Sequence, residues 1–115
     1  MSERNIIFLK HILEACENII EFIKDINFKT FNNSRLIQSA VIRELGIIGE
    51  ATKNLSEEIR NKYNNIPWKK IAGMKDKLTH GYFTLDLKEV WNTTEKDIPI
   101  LKNNIRDAIK SENSE

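Results

Sequence analysis

The sequence predicts an all-α chain folded as an up-and-down bundle of four to five helices. Three observations carry that reading. Apolar residues recur at helical spacing in four segments, and short polar turns join the segments. Turn-forming residues are scarce, with 4 Gly and 2 Pro in 115 residues. Few breakpoints favour long helices over many short strands. Amphipathic segments on short connections stack as a bundle. The length is that of one domain, residues 1–115. With 40% apolar and 30% charged residues, the chain is globular in composition and too apolar for a disordered one. A core this small gains from oligomerisation.

The first helix is expected over residues 4–26. Leu9, Ile12, Cys16, Ile19 and Ile23 alternate at gaps of three and four, and Leu13 and Ile20 widen the stripe. Residues 27–33 break the pattern and read as a connection. Asn33 or Ser34 then caps a second segment over 34–63. Ile37, Val41, Glu44, Ile48, Ala51, Leu55 and Ile59 line one face of it. Thirty residues of helix would be about 45 Å long, so either one bent helix or two pieces is predicted. Gly46 and Gly49 lie three apart inside this segment. Each costs up to about 1 kcal/mol against alanine, which points to close packing there. Contact with a neighbouring helix is the simpler reading, and room for a partner subunit the other.

Asn64-Asn65-Ile66-Pro67 forms a turn, and Pro67 suits the start of a short third helix over 67–80. Gly81 is a natural stop, and 82–85 is a connection. Asp86 can cap the last helix, which runs to about residue 110. Leu87, Val90, Thr94, Ile98, Leu101, Ile105 and Ala108 form its stripe, with Trp91 alongside. Pro99 lies inside it. An interior proline costs about 3 kcal/mol, so a kink or brief break is predicted, with Asp97 capping a restart. The tail 111–115 is expected to fray.

Several function classes find no support. The lone Cys16 rules out an internal disulfide and sits among apolar residues, as a core thiol does. His11, His80 and Cys16 do not make a four-ligand zinc set, so no metal ligands are assigned. Glu57-Glu58 reads as a solvated helix face. There is no glycine-rich phosphate loop and no nucleophile elbow. No leader and no apolar run near 20 residues is visible, so a cytoplasmic protein without membrane contact is expected. The net charge of +1 neither demands nor excludes a nucleic-acid partner.

One window stands apart: WKKIAGMKDKLTHGYF, residues 68–83. Lys69, Lys70, Lys75 and Lys77 face a single acid, Asp76, and His80, Tyr82 and two flanking aromatics complete it. Basic residues mixed with aromatics suit RNA phosphates and unstacked bases. A solvated basic helix whose aromatics anchor the core accounts for the same residues. If the helix persists between Lys75 and His80, the two are rotated by about 140°. If it ends near His80, both can point into one cleft. A histidine at a helix C-terminus is favoured in its charged form and suits proton transfer.

At this window the sequence resembles the HepT-like branch of the HEPN superfamily. GMKDKLTHGYF, DLKEVW and DIPILK carry the resemblance, with ELGIIGEATKNLS upstream. It extends from the first helix to about Ile109. The family motif is Arg, four residues, His, one residue, Tyr, which falls here on Lys75, His80 and Tyr82. The resemblance implies a HEPN-like bundle that pairs as a homodimer, with two motifs facing one cleft. It implies a metal-independent, cofactor-free endoribonuclease in which the RNA 2′-OH attacks the adjacent phosphate. His80 would transfer protons, Lys75 would stabilise phosphate charge, and Asp76 would order the site. Lys69, Lys70 and Lys77 would contact RNA, with transfer RNA one candidate. Glu50 is a secondary candidate for holding the basic residue, against a plain exposed glutamate. The resemblance also implies a toxin half paired with a minimal nucleotidyltransferase antitoxin, MntA. Using its own ATP, that partner would attach AMP groups to Tyr82 and so block the cleft. This chain departs from the motif at Lys75, where lysine keeps the charge of arginine but loses its planar fork. The alternative expectation is a catalytically weakened or silent HEPN domain that binds a nucleotidyltransferase. A plain helical dimerisation module would be neither cut-competent nor modified.

Overall fold

Residues 3–80 and 86–114 are described by a computed structural model, the side chains of Thr79 and His80 excepted. All regular structure among them is helical. Four longer helices carry the bundle: α1 (Glu3–Phe22), α3 (Arg35–Asn54), α5 (Trp68–His80) and α7 (Ile98–Asn113). Short helices α2 (Phe28–Asn33), α4 (Glu57–Lys62) and α6 (Leu87–Asn92) link them. Helix α1 packs against α3 and α7, and α5 packs against α3. Leu9, Ile12, Cys16, Ile19, Val41, Leu45, Ile48 and Ile105 are fully buried where these faces meet. Most residues predicted as stripes are thus the core, while Leu13, Ile20, Ile23, Ile37 and Leu87 are half-buried against it. Trp91 joins it through Phe31, with ring centroids 5.3 Å apart.

The boundaries differ from the expected ones where local capping intervenes. Helix α1 stops at Phe22 rather than near 26, and Asp25 turns the chain with φ of 61°. The segment read as a break contains α2, because the Asn27 side chain accepts from Thr30 N at 3.0 Å and starts a helix. Ser34 caps α3 as predicted, accepting from Ile37 N at 3.2 Å. The long second segment is two pieces: the chain is extended at Leu55, and the Ser56 side chain caps α4. Asp86 caps α6 through Lys88 N and Glu89 N.

Pro99 does not break the last helix. A π-helical turn over Thr93–Asp97 joins α6 to α7, and Ile98 N bonds to Thr93 O, five residues back. The wider turn makes room ahead of the proline ring without interrupting the helix. Asp97, expected to cap a restart, makes no side-chain cap. The helix also runs past the expected end at residue 110, to Asn113. Glu112 explains why. Its carboxylate is buried, pairs with Lys62 Nζ at 2.8 Å and accepts a short hydrogen bond from the Tyr63 hydroxyl.

No helix among the described residues is long and apolar enough to cross a membrane.

Candidate active site

The contact between α3 and α5 is built around a missing side chain. A Cβ added to Gly49 would lie 2.2 Å from Lys75 Cβ and 3.3 Å from its Cα. No carbon atom can occupy that position, so glycine is what lets α5 settle against α3 here. Gly46 has open space where its Cβ would be. Of the two glycines singled out in the sequence, only Gly49 serves this contact.

Seating α5 this way carries charge across the contact. Lys75 Nζ lies 3.0 Å from Glu50 Oε2. The hydrogen bond from Lys75, and then its charge, hold the Glu50 carboxyl below the ordinary carboxylate range. A second pair follows one helical step on, where the Lys53 ammonium bonds Asp76 Oδ1. Asn54 steadies the α3 side. Its amide donates to Glu50 O at 2.8 Å, and its Oδ1 accepts from Arg4 at 3.3 Å. Four charged groups of alternating sign therefore bridge two helices at one place, all of them reached by solvent.

Helix α5 continues unbroken from Trp68 to His80. Along such a helix, Lys75 and His80 are about 7.5 Å apart on the axis and about 140° apart around it. The His80 side chain, expected to transfer protons, and Tyr82, expected to be modified, lie outside the described residues.

The remaining lysines of the window point elsewhere. Lys69 and Lys70 are exposed. Lys77 bonds both oxygens of Glu89, at 2.9 and 3.1 Å. Lys70 and Lys77 line a groove of about 540 Å³ between α5 and the α6–α7 helix, floored by Leu45, Ile71, Met74 and Leu101. Lys75 is not in that lining; it faces α3. Trp68, one of the flanking aromatics, is an anchor for the core. Its indole Nε1 donates to Arg60 O and Tyr63 O at 3.2 and 3.0 Å. Phe83, the other, lies outside the described residues. Sequence reasoning missed Lys53. The available signal was its place three residues after Glu50, on the same helical face.

Set beside known proteins, residues 12–108 match the family described as Ribonuclease HepT-like. The chain belongs to the HepT-like ribonuclease family. It is similar to a Caldanaerobacter subterraneus subsp. tengcongensis protein named "Putative RNase". The two are 44% identical over 105 residues, covering 91% of this chain and 94% of that protein. A Thermococcus cleftensis protein named "Probable ribonuclease HepT" is 45% identical over 95 residues, 83% of this chain and 86% of that one. A Methanocaldococcus jannaschii protein named "Gamma-glutamylcyclotransferase and putative RNase" is 52% identical over 99 residues. Those cover 86% of this chain and 45% of that protein, so the HepT-like region is a part of the longer chain. No solved structure gives a significant match. In this HepT-like chain, α5 carries both Lys75 and residue 80.

Proposed function

We propose that this protein is an endoribonuclease that cuts RNA without a metal ion, and that it is the toxin half of a toxin–antitoxin pair. The observation that carries the reading is the Lys75–Glu50 pair, which fixes a cation on the same helix as His80 in a chain of the HepT-like family.

In the proposed reaction the 2′-oxygen of a ribose bonds to the adjacent phosphorus, and the bond from phosphorus to the 5′-oxygen breaks. One proton leaves the 2′-OH and one arrives on the departing 5′-oxygen. His80 transfers protons, a contribution of typically about 10²–10⁴-fold. The Lys75 ammonium stabilises the negative charge that builds on the phosphate oxygens. Glu50 aims that ammonium, and Asp76 orders the surrounding charges. Lys69, Lys70 and Lys77 draw in the RNA backbone, with transfer RNA one candidate. A homodimer brings two such helices to one cleft. A nucleotidyltransferase antitoxin transfers AMP from ATP to the Tyr82 hydroxyl, two residues from His80, releasing pyrophosphate and a proton, and the added phosphate charge repels RNA.

A second reading rests on a specific residue. Lys75 stands where the family motif has arginine, and its ammonium is already paired with Glu50. A chain with that pairing can keep its antitoxin as partner while cutting RNA weakly or not at all.

The test is cleavage of RNA by unmodified protein in the presence of a chelator, beside His80→Ala and the protein after incubation with a nucleotidyltransferase and ATP. The first reading requires cutting by the wild type alone. A mass increase on Tyr82 should accompany loss of cutting. Modification without any prior cutting would favour the second reading.

A further inference from the structure

Asp76 is held by a residue that the motif does not contain. We propose that Lys53 is a second phosphate-binding cation of this site, and that Lys53 and Lys75 together grip the RNA phosphate that one arginine fork would hold. The inference rests on the ribonuclease reading for its substrate class, an RNA phosphodiester.

Three observations lead to it. The first is register. Gly49, Glu50 and Lys53 follow one another along a single face of α3, and Lys75 and Asp76 are neighbours on α5. The close approach at Gly49 therefore draws both ion pairs into the same helix contact. Lys53 also bears on Glu50 electrostatically, so the two pairs form one cluster.

The second is exposure. The Lys53 and Lys75 side chains are 36% and 29% exposed, and their carboxylate partners 56% and 57%. Ion pairs reached by water in this way hold their partners only weakly. An ammonium carries three donors, so either lysine can reach a phosphate oxygen while it stays beside its carboxylate, and both acceptors make charge-assisted hydrogen bonds.

The third is charge balance. Two ammonium and two carboxylate groups cancel. A phosphate approaching Lys75 alone would meet the adjacent Asp76 carboxylate, and Lys53 is the group that offsets it. Arginine presents two parallel N–H groups to two phosphate oxygens, whereas one lysine presents a point charge. Two lysines on two helices supply two donors, at a separation set by the Gly49 contact.

The test uses the full chain and an RNA oligonucleotide with 2′-fluoro groups, which lacks the attacking hydroxyl and stays intact. Binding is followed by fluorescence anisotropy across a salt series. Lys53→Met should weaken binding about tenfold and lower the salt slope by about one. Lys53→Gln should do the same, and thermal melting by circular dichroism should show both variants folded. Lys75→Arg should recover most of the loss, with a larger gain in the Lys53→Met background than in the wild type. Adding Asp76→Asn to Lys53→Met should recover only part of it, because the lost donor is not replaced. Wild-type affinity and slope in Lys53→Met would overturn the proposal. So would full recovery by Asp76→Asn, which would reduce Lys53 to a mask over Asp76, or a wild type that binds no RNA. A wild type that binds through Lys53 but cuts no ordinary RNA would leave the proposal standing and sink the ribonuclease reading.

Discussion

Gly49 and Lys75 meet where α3 and α5 leave no space for a methyl group, with the absent Cβ only 2.2 Å from Lys75 Cβ. Lys75 reaches Glu50 from this contact, so packing and chemistry share one point of the fold. Gly49→Ala must push α5 away from α3, because Lys75 Cα lies 3.3 Å from the same position and backbone cannot swing aside. The expected cost is about 1–3 kcal/mol of folding stability, measured by urea unfolding. RNA cleavage should fall alongside it. Gly46→Ala, with open space at its Cβ, should be neutral or slightly stabilising.

Glu50→Gln tests the aim of Lys75. The variant should keep its fold and lose about tenfold in cleavage rate, since a misaimed charge loses much of its effect. The pH dependence has a definite sign. Lys75 lowers the Glu50 carboxyl below its ordinary value of 4.5. A lowered carboxylate contributes stability above its unfolded pKa and loses it as pH falls through the folded one. The stability difference between wild type and Glu50→Gln should therefore be constant near neutrality and vanish in acid below pH 4.5.

Cys16 should be inert in the folded protein. Burial chiefly, with the charge of Glu17, pushes its thiol from 9.0 up to about 12. A raised pKa gives stability that is intact below pH 9.0 and lost as pH rises toward about 12. A disulfide reagent should label Cys16 only after denaturant is added. Alkaline unfolding should steepen above pH 9.0, by up to about 1.4 kcal/mol per pH unit from this group. Rapid labelling of native protein at neutral pH would contradict the burial.

The C-terminal turn of α7 should contribute to stability. Glu112 accepts from Tyr63 and pairs with Lys62, and its side chain is 2% exposed. Burial alone would raise this carboxyl, but the hydrogen bonds from Lys62 and Tyr63 outweigh it and hold the group below its ordinary value. Truncation after Lys110 should cost about 1–3 kcal/mol in urea unfolding, because it leaves Tyr63 and Lys62 without their shared acceptor. A frayed tail would give no change.

Periodicity made the core legible. The stripes through Leu9, Ile12, Ile48 and Ile105 are buried because helical spacing and burial follow from one geometry. Capping by Ser34 and Asp86 was legible for the same local reason. What escaped depended on contacts between distant residues. Nothing near Glu112 in sequence indicates Tyr63, 49 residues away, so the end of α7 was placed too early. Pro99 signalled a break that a π turn absorbs instead. In the candidate site, the resemblance pointed to Lys75 and Glu50, and the structure pairs the two. Lys53 stayed hidden because its partner Asp76 sits on another helix, 23 residues on.

The proposed chemistry is tested most directly by the ends of the cut RNA. An oligonucleotide carrying one ribose among deoxyriboses is incubated with unmodified protein and a chelator. The account predicts one cut, after the ribose, leaving a 2′,3′-cyclic phosphate and a 5′-hydroxyl, with none in His80→Ala. Ends bearing a 5′-phosphate, or equal cutting by His80→Ala, would contradict it.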